Sequence, residues 1–203
     1  MDQQEEVFTV LEQVNTVNVQ YLEKIFFQLS YNLKDEKAPQ LGIILARCIK
    51  VTLLTIELYF NNISYQGAAA IFQGLALCQN IIYLKLDLRQ NKILDLGVSN
   101  LSTQIINLPK LSNLQLELRS NFITSKGAFE LGKGLSKCIR LSILNIDLMS
   151  NNLKDDGAQN LFQGLSRNPS VNQLKLNLRN NLIQKKRGNY NRMKRLVLKQ
   201  IIN

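Results

Sequence analysis

Apolar and polar residues alternate in five short stretches of the chain, and after each stretch the rhythm changes. Leu54-Thr-Ile-Glu-Leu58 is followed by Leu84-Lys-Leu-Asp-Leu88, Leu114-Gln-Leu-Glu-Leu118, Leu144-Asn-Ile-Asp-Leu148 and Leu174-Lys-Leu-Asn-Leu178, always 30 residues further on. Alternation with period two predicts a strand with one buried face. Downstream the apolar positions take helical spacing: Ala68, Ile71, Phe72 and Leu75; Val98, Leu101 and Ile105; Ala128, Leu131 and Leu135; Ala158, Leu161, Phe162 and Leu165. Pro109 and Pro169 fall between a helix and the next strand, where a helix must end. Each unit therefore predicts one strand, one tight corner and one helix. One unit alone cannot bury its apolar face, but stacked units form a continuous core.

Two polar columns mark the corner. Asn61, Asn91, Asn121, Asn151 and Asn181 follow the strands, placed where an amide can satisfy backbone groups of neighbouring coils. Gly67, Gly97, Gly127 and Gly157 open the helices, where a positive φ or a close approach is expected. Gly74, Gly134 and Gly164 recur inside the helices and predict close helix–helix contact, since glycine there costs about 1 kcal/mol relative to alanine. Cys48, Cys78 and Cys138 share one repeat position and read as small buried apolar residues.

These residues resemble the leucine-rich repeats of the ribonuclease-inhibitor-like class. The matching unit is Leu111-x-x-Leu114-x-Leu116-x-Leu118-x-x-Asn121-x-Ile123-x-x-x-Gly127, with two residues added to the strand. The added Leu-x-Leu-x-Leu and the abundance of amides, 23 Asn and 17 Gln, are similar to the large repeat families of ciliate-type protists. The resemblance runs over roughly residues 37–195. It implies an α/β solenoid of about five repeats, a horseshoe segment with a parallel sheet on the concave side and helices on the convex side.

Three segments are expected: a helical N-terminal cap over 1–36, the solenoid over 37–183, and a basic C-terminal capping helix over 184–203. The cap is predicted from Val7, Leu11, Val14, Leu22, Ile25 and Leu29, which suggest one or two amphipathic helices; a partner-binding helix is the alternative reading. Charge is segregated along the chain. Residues 1–40 carry seven acids against three lysines, whereas Lys185, Lys186, Arg187, Arg192, Lys194, Arg195 and Lys199 face no acid in the last twenty residues. That basic end is either a solvated face of a cap or a patch for an acidic surface such as tubulin, RNA or an anionic membrane. Tyr190 is the one aromatic there and no nucleic-acid module accompanies it, so nucleic-acid binding has little support.

Between the buried leucines lie three columns that face outward on the implied concave sheet. They read Thr55, Lys85, Gln115, Asn145, Lys175; then Glu57, Asp87, Glu117, Asp147, Asn177; then Tyr59, Arg89, Arg119, Met149, Arg179. Four carboxylates in one column call for neutralisation by diagonal pairing with the flanking cations. The face is either such a lattice, worth little per pair, or a docking face with Tyr59, Arg119 and Met149 as anchors. The partner-binding candidates are Glu57, Tyr59, Lys85, Asp87, Arg89, Glu117, Arg119, Asp147, Met149, Lys175, Arg179, Lys185, Lys186 and Arg187.

Composition narrows the chemistry. The chain has 203 residues, a net charge of +10, and no histidine, which removes Ser-His-Asp triads and His-bearing zinc sites. No cofactor or metal is expected. No run is apolar enough for a transmembrane helix, and the acidic, Gln-rich start reads as neither a secretory signal nor a transit peptide. A reducing cytoplasmic setting follows, with a cytoskeletal or ciliary structure as the finer expectation. The function expected is a non-enzymatic protein–protein interaction scaffold. The alternatives are a structural component of a cytoskeletal or axonemal assembly, or a regulator of a small GTPase or other enzyme.

Overall fold

A computed structural model describes residues 5–184. Seven parallel strands form one open sheet in chain order: β1 (Glu5–Phe8), β2 (Lys24–Gln28), β3 (Leu53–Glu57), β4 (Tyr83–Asp87), β5 (Asn113–Glu117), β6 (Ile143–Asp147) and β7 (Gln173–Asn177). From β2 onward a helix crosses between successive strands: α1 (Lys34–Ala46), α2 (Tyr65–Leu75), α3 (Leu94–Gln104), α4 (Ser125–Leu135) and α5 (Lys154–Ser166). The 30-residue period sets the register, so that Leu54, Leu84, Leu114, Leu144 and Leu174 stand side by side across the sheet. These leucines and the helical apolar positions make one core running the length of the array.

The structure departs from the sequence expectation at the N-terminal end. Instead of amphipathic helices, residues 5–28 supply two more strands, joined by the 3-10 turns Leu11–Thr16 and Val19–Tyr21. Leu22, Ile25, Phe27 and Leu29 are all buried, and their spacing is that of Leu111, Leu114, Leu116 and Leu118 one coil at a time. A phenylalanine in the third position and a 29-residue step to the next strand hide this coil. Residues 22, 25 and 29 alone satisfy a helical spacing equally well. The basic segment expected as a capping helix, with Lys185, Lys186 and Arg187, lies outside the described residues.

The corners reveal a second, longer period. Among the described residues no glycine has a positive φ. The left-handed positions are Phe60 and Asn62, Ser120 and Phe122, and Asn180 and Leu182 in the coils of β3, β5 and β7, but Tyr31 and Lys34, Gln90 and Leu94, and Ser150 and Lys154, in those of β2, β4 and β6. The structural repeat is therefore a pair of coils, 60 residues long. In one kind of coil Ser64 or Thr124 caps the helix, accepting from Gly67 N and Lys126 N respectively, each at 3.2 Å. In the other kind, an aspartate in the first helical turn reaches the next coil. Asp35 Oδ1 accepts from Ser64 N at 2.8 Å, Asp95 Oδ1 from Thr124 N at 2.8 Å, and Asp155 Oδ1 from Gln184 N at 3.0 Å. The glycine column serves this contact by close approach: a Cβ at Gly67 or Gly127 would strike the Asp35 or Asp95 carboxylate.

Cys48 and Cys78 are fully buried and Cys138 is half-buried. Burial pushes the Cys48 thiol up to about 12 and the Cys138 thiol to about 11, and raises Cys78 as well. A raised thiol pKa keeps the folded form protonated while the unfolded chain ionises, so this contribution to stability holds below about pH 8.5 and is lost as pH rises towards 12. We expect Cys48 and Cys78 to resist a thiol-specific reagent at pH 8 until the protein unfolds. Labelling of both in the native protein as fast as in the denatured chain would contradict their placement.

Candidate functional site

The face of the sheet opposite the helices carries the three outward columns, extended by β2, whose Phe26 pairs with Thr55 and Gln28 with Glu57. The sheet register brings Lys85, Gln115, Asn145 and Lys175 into one row and Glu57, Asp87, Glu117, Asp147 and Asn177 into the next. The third row lies just past the strand ends and is held by backbone bonds. Phe60 N donates to Arg89 O at 3.0 Å, Gln90 N to Arg119 O at 2.8 Å, Ser120 N to Met149 O at 3.0 Å and Ser150 N to Arg179 O at 2.9 Å. Tyr59, Arg89, Arg119, Met149 and Arg179 thus follow one another from coil to coil.

The acidic row is not uniform. Glu57 takes the diagonal partner expected of it, Lys85 Nζ at 2.8 Å, and this bond raises the lysine pKa. Asp87 is buried and pairs along its own strand, accepting from Arg89 Nε at 2.9 Å and Arg89 Nη2 at 2.5 Å. Glu117 accepts from Gln115 Nε2 at 3.0 Å, and Asp147 from the backbone N of Met149 at 2.8 Å. Among the described residues neither of those two has a cation within 4.0 Å. The neutralising lattice exists at β3 and β4 and stops there. Thr55 is buried as well, while Gln28 at one end of the face and Lys175 and Arg179 at the other are exposed.

The candidate set names Tyr59 but not the aromatic neighbours that the structure places beside it at the same edge. Tyr31, Tyr59 and Phe60 form a ring cluster, with centroid separations of 5.2 Å for Tyr31–Tyr59 and 5.4 Å for Tyr31–Phe60. Arg89 lies over the Tyr59 ring at 5.2 Å. Phe122 and Leu182 stand exposed at the equivalent corner of later coils. The sequence signal for them was a bulky residue beside the Asn column.

The Asn column itself is structural, as expected. Asn91 Nδ2 donates to Leu58 O at 2.8 Å in the preceding coil, while its Oδ1 accepts from Asn61 N at 3.1 Å and Ile63 N at 2.9 Å. Among the described residues no three His, Cys, Asp or Glu side chains converge as a metal site would require. A groove between α2 and α3 on the helical side, lined by Gln73, Leu77, Gln79, Gln104, Ile106 and Pro109, holds no titratable side chain. No described helix is long and apolar enough to cross a membrane.

This geometry defines a leucine-rich repeat solenoid. A family model described as "Leucine Rich repeat" matches residues 142–162, the β6 strand and the first nine residues of α5. A solved structure described as "Leiomodin-1 Actin-Binding Site 2 (ABS2)" superposes with a TM-score of 0.59 over 79% of this chain and 87% of that one, at 12% sequence identity. At that identity the likeness is one of fold. No curated protein matches the sequence.

Proposed function

We propose that the chain is a non-enzymatic scaffold that binds a protein partner through its concave sheet, with the basic segment 184–203 adding electrostatic attraction. The observation that supports this is the third row. Tyr, Arg and Met side chains, the types that concentrate binding energy at interfaces, are stepped at strand spacing along a face that no described element covers. The arrangement offers hydrogen-bonding and packing positions but no nucleophile–base pair. The test is affinity capture from the source cells with the unaltered chain and with Gln115→Trp/Asn145→Trp, which fills the centre of the concave face. Capture of a defined partner should fall roughly tenfold or more, with unchanged thermal unfolding. Equal capture by both proteins would move the site off the sheet.

A cytoskeletal role is the second reading, because the superposed fold is named as an actin-binding segment. The basic end suits an acidic filament, whether actin or, as first expected, tubulin. Co-sedimentation with actin filaments and with microtubules, at low and high salt and with residues 184–203 removed, decides it. Salt-sensitive pelleting that the truncation abolishes supports this reading, and no pelleting with either polymer removes it.

A further inference from the structure

We infer that the edge where the strands hand over to the helices is a docking track for an acidic amphipathic helix of a protein partner. The inference rests on the scaffold reading and specifies which edge binds and what it binds. From the third row to the start of the helix, the five coils read 59–65, 89–94, 119–125, 149–154 and 179–184. Together these stretches hold Arg89, Lys92, Arg119, Lys154 and Arg179 and no acidic residue. Arg89 is tied to Asp87, but Lys92, Arg119, Lys154 and Arg179 are exposed, and among the described residues none has a carboxylate within 4.0 Å. Of the acids beside the edge, Asp95 and Asp155 accept backbone N–H groups of the following coil, Asp87 and Glu117 lie on the sheet two residues before Arg89 and Arg119, and Asp156 is exposed one residue beyond Asp155.

The apolar members of the same edge are spaced two coils apart. Phe60, Phe122 and Leu182 are 56%, 64% and 70% exposed. All three sit in left-handed backbone, at φ 55°, 60° and 55°, a conformation that asparagine or glycine adopts more readily than a bulky residue. The coil of Phe60 carries Asn62 at the position equivalent to Phe122 and Leu182, which shows that the corner closes without a large apolar side chain. Phe122 and Leu182 are not part of the buried core. Between the coils of Phe60, Phe122 and Leu182, those of β4 and β6 present Lys92 and Lys154. Leu94, beside Lys92, is 38% exposed, so the most exposed apolar side chains fall in alternate coils, while every coil from β4 to β7 carries a cation.

That alternation matches a helix. Adjacent coils are about 4.8 Å apart at the sheet, so successive apolar anchors are separated by about 10 Å, while two turns of α-helix rise about 10.8 Å. A helix lying along the edge with an apolar residue at every seventh position would meet Phe122 and Leu182 in turn, with Phe60 two positions earlier in its coil at the end of the track. Its carboxylates one turn away would meet Lys92, Arg119 and Lys154. Single-stranded nucleic acid would gain more from a stacking surface at every coil, and this edge has one only in alternate coils.

The experiment uses the full chain and a fluorescein-labelled helical peptide of about 24 residues, long enough to span the sheet, with leucine at every seventh position and glutamate flanking it. Fluorescence anisotropy should show saturable binding. Phe122→Gly/Leu182→Gly should weaken it roughly tenfold or more while melting stays unchanged, since glycine suits both corners. A peptide with lysine replacing glutamate should not bind, and Gln115→Trp/Asn145→Trp, on the sheet itself, should bind the acidic peptide as before. Undiminished binding by the double glycine variant overturns the track, as does equal binding of the lysine peptide. Tighter binding of oligouridylate or of phosphatidylserine vesicles than of the acidic peptide overturns it in favour of those ligands. Cellular capture that fails with the tryptophan variant but survives in the glycine variant also rejects the track, and leaves the concave scaffold standing.

Discussion

Asn91→Ala is expected to destabilise the protein by about 3–4 kcal/mol, and Asn121→Ala by about 1 kcal/mol less. Both amides are buried. Asn91 Nδ2 donates to Leu58 O, Leu88 O and Arg89 O at 2.8, 3.0 and 3.2 Å, and its Oδ1 accepts two N–H groups, from Asn61 and Ile63. Asn121 makes the same donations, to Leu88 O, Leu118 O and Arg119 O, but its Oδ1 accepts only one N–H, from Ile93 at 3.3 Å. Alanine leaves these backbone groups facing a dry core, and each orphan costs about 1–3 kcal/mol. The difference of one N–H follows the two-coil period at 91, 121, 151 and 181, whereas Asn61 accepts two, from Leu33 and Lys34. At about 2–4 °C per kcal/mol for a domain of this size, Asn91→Ala should lower the melting midpoint by roughly 6–16 °C. Circular dichroism melts read this directly, and native-state hydrogen exchange should show lost protection at residues 61 and 63. Equal effects at 91 and 121 would deny the alternation, and a shift below about 2 °C at 91 would deny the ladder.

Gly74→Ala should cost about 3 kcal/mol or more, although alanine is the better helix former by about 1 kcal/mol. A Cβ on Gly74 would fall onto the carbonyl of Gly42 in α1, and its listener on the other side is backbone, which cannot rotate away. The two helices would have to part, opening the core beneath Leu41, Leu45 and Ile71. Gly132 provides the comparison. A Cβ there would meet Leu161 O at 3.0 Å and Leu161 Cα at 3.1 Å, a contact that a shift of a few tenths of an ångström relieves. Gly132→Ala should therefore change stability by less than about 1 kcal/mol. Urea unfolding of both variants distinguishes the cases, and a Gly74→Ala midpoint equal to that of the parent would show that the helices are not in backbone contact.

The strands from β3 to β7, their register and the buried leucines were readable because each is a local matter: alternation along five residues says which side chains face the core. The Asn column was readable for a related reason, since a buried amide after a strand must find backbone partners. The coil of β2 was missed through residues 22, 25 and 29, whose spacing suits a helix, while Phe27 in place of a leucine masked the strand. The concave rows were placed correctly relative to one another by the period. Diagonal pairing was expected and occurs at Lys85–Glu57; that Arg89 would fold onto Asp87 in its own coil was not legible, because whether it does so or reaches for Glu117 depends on rotamers and on the neighbouring coil.

Periodicity and composition alone establish a stacked strand–helix array, its 30-residue step, the columns that face its core and the charge contrast between its two halves. The stacking of one coil on the next is what makes coils alternate in pairs, leaves Phe60, Phe122 and Leu182 exposed in left-handed corners, and lets Asp35, Asp95 and Asp155 cap the coil that follows. The reason is physical. A corner's conformation is chosen by hydrogen bonds to residues about 30 positions away, and such a partner exists only once the next coil has been laid against it.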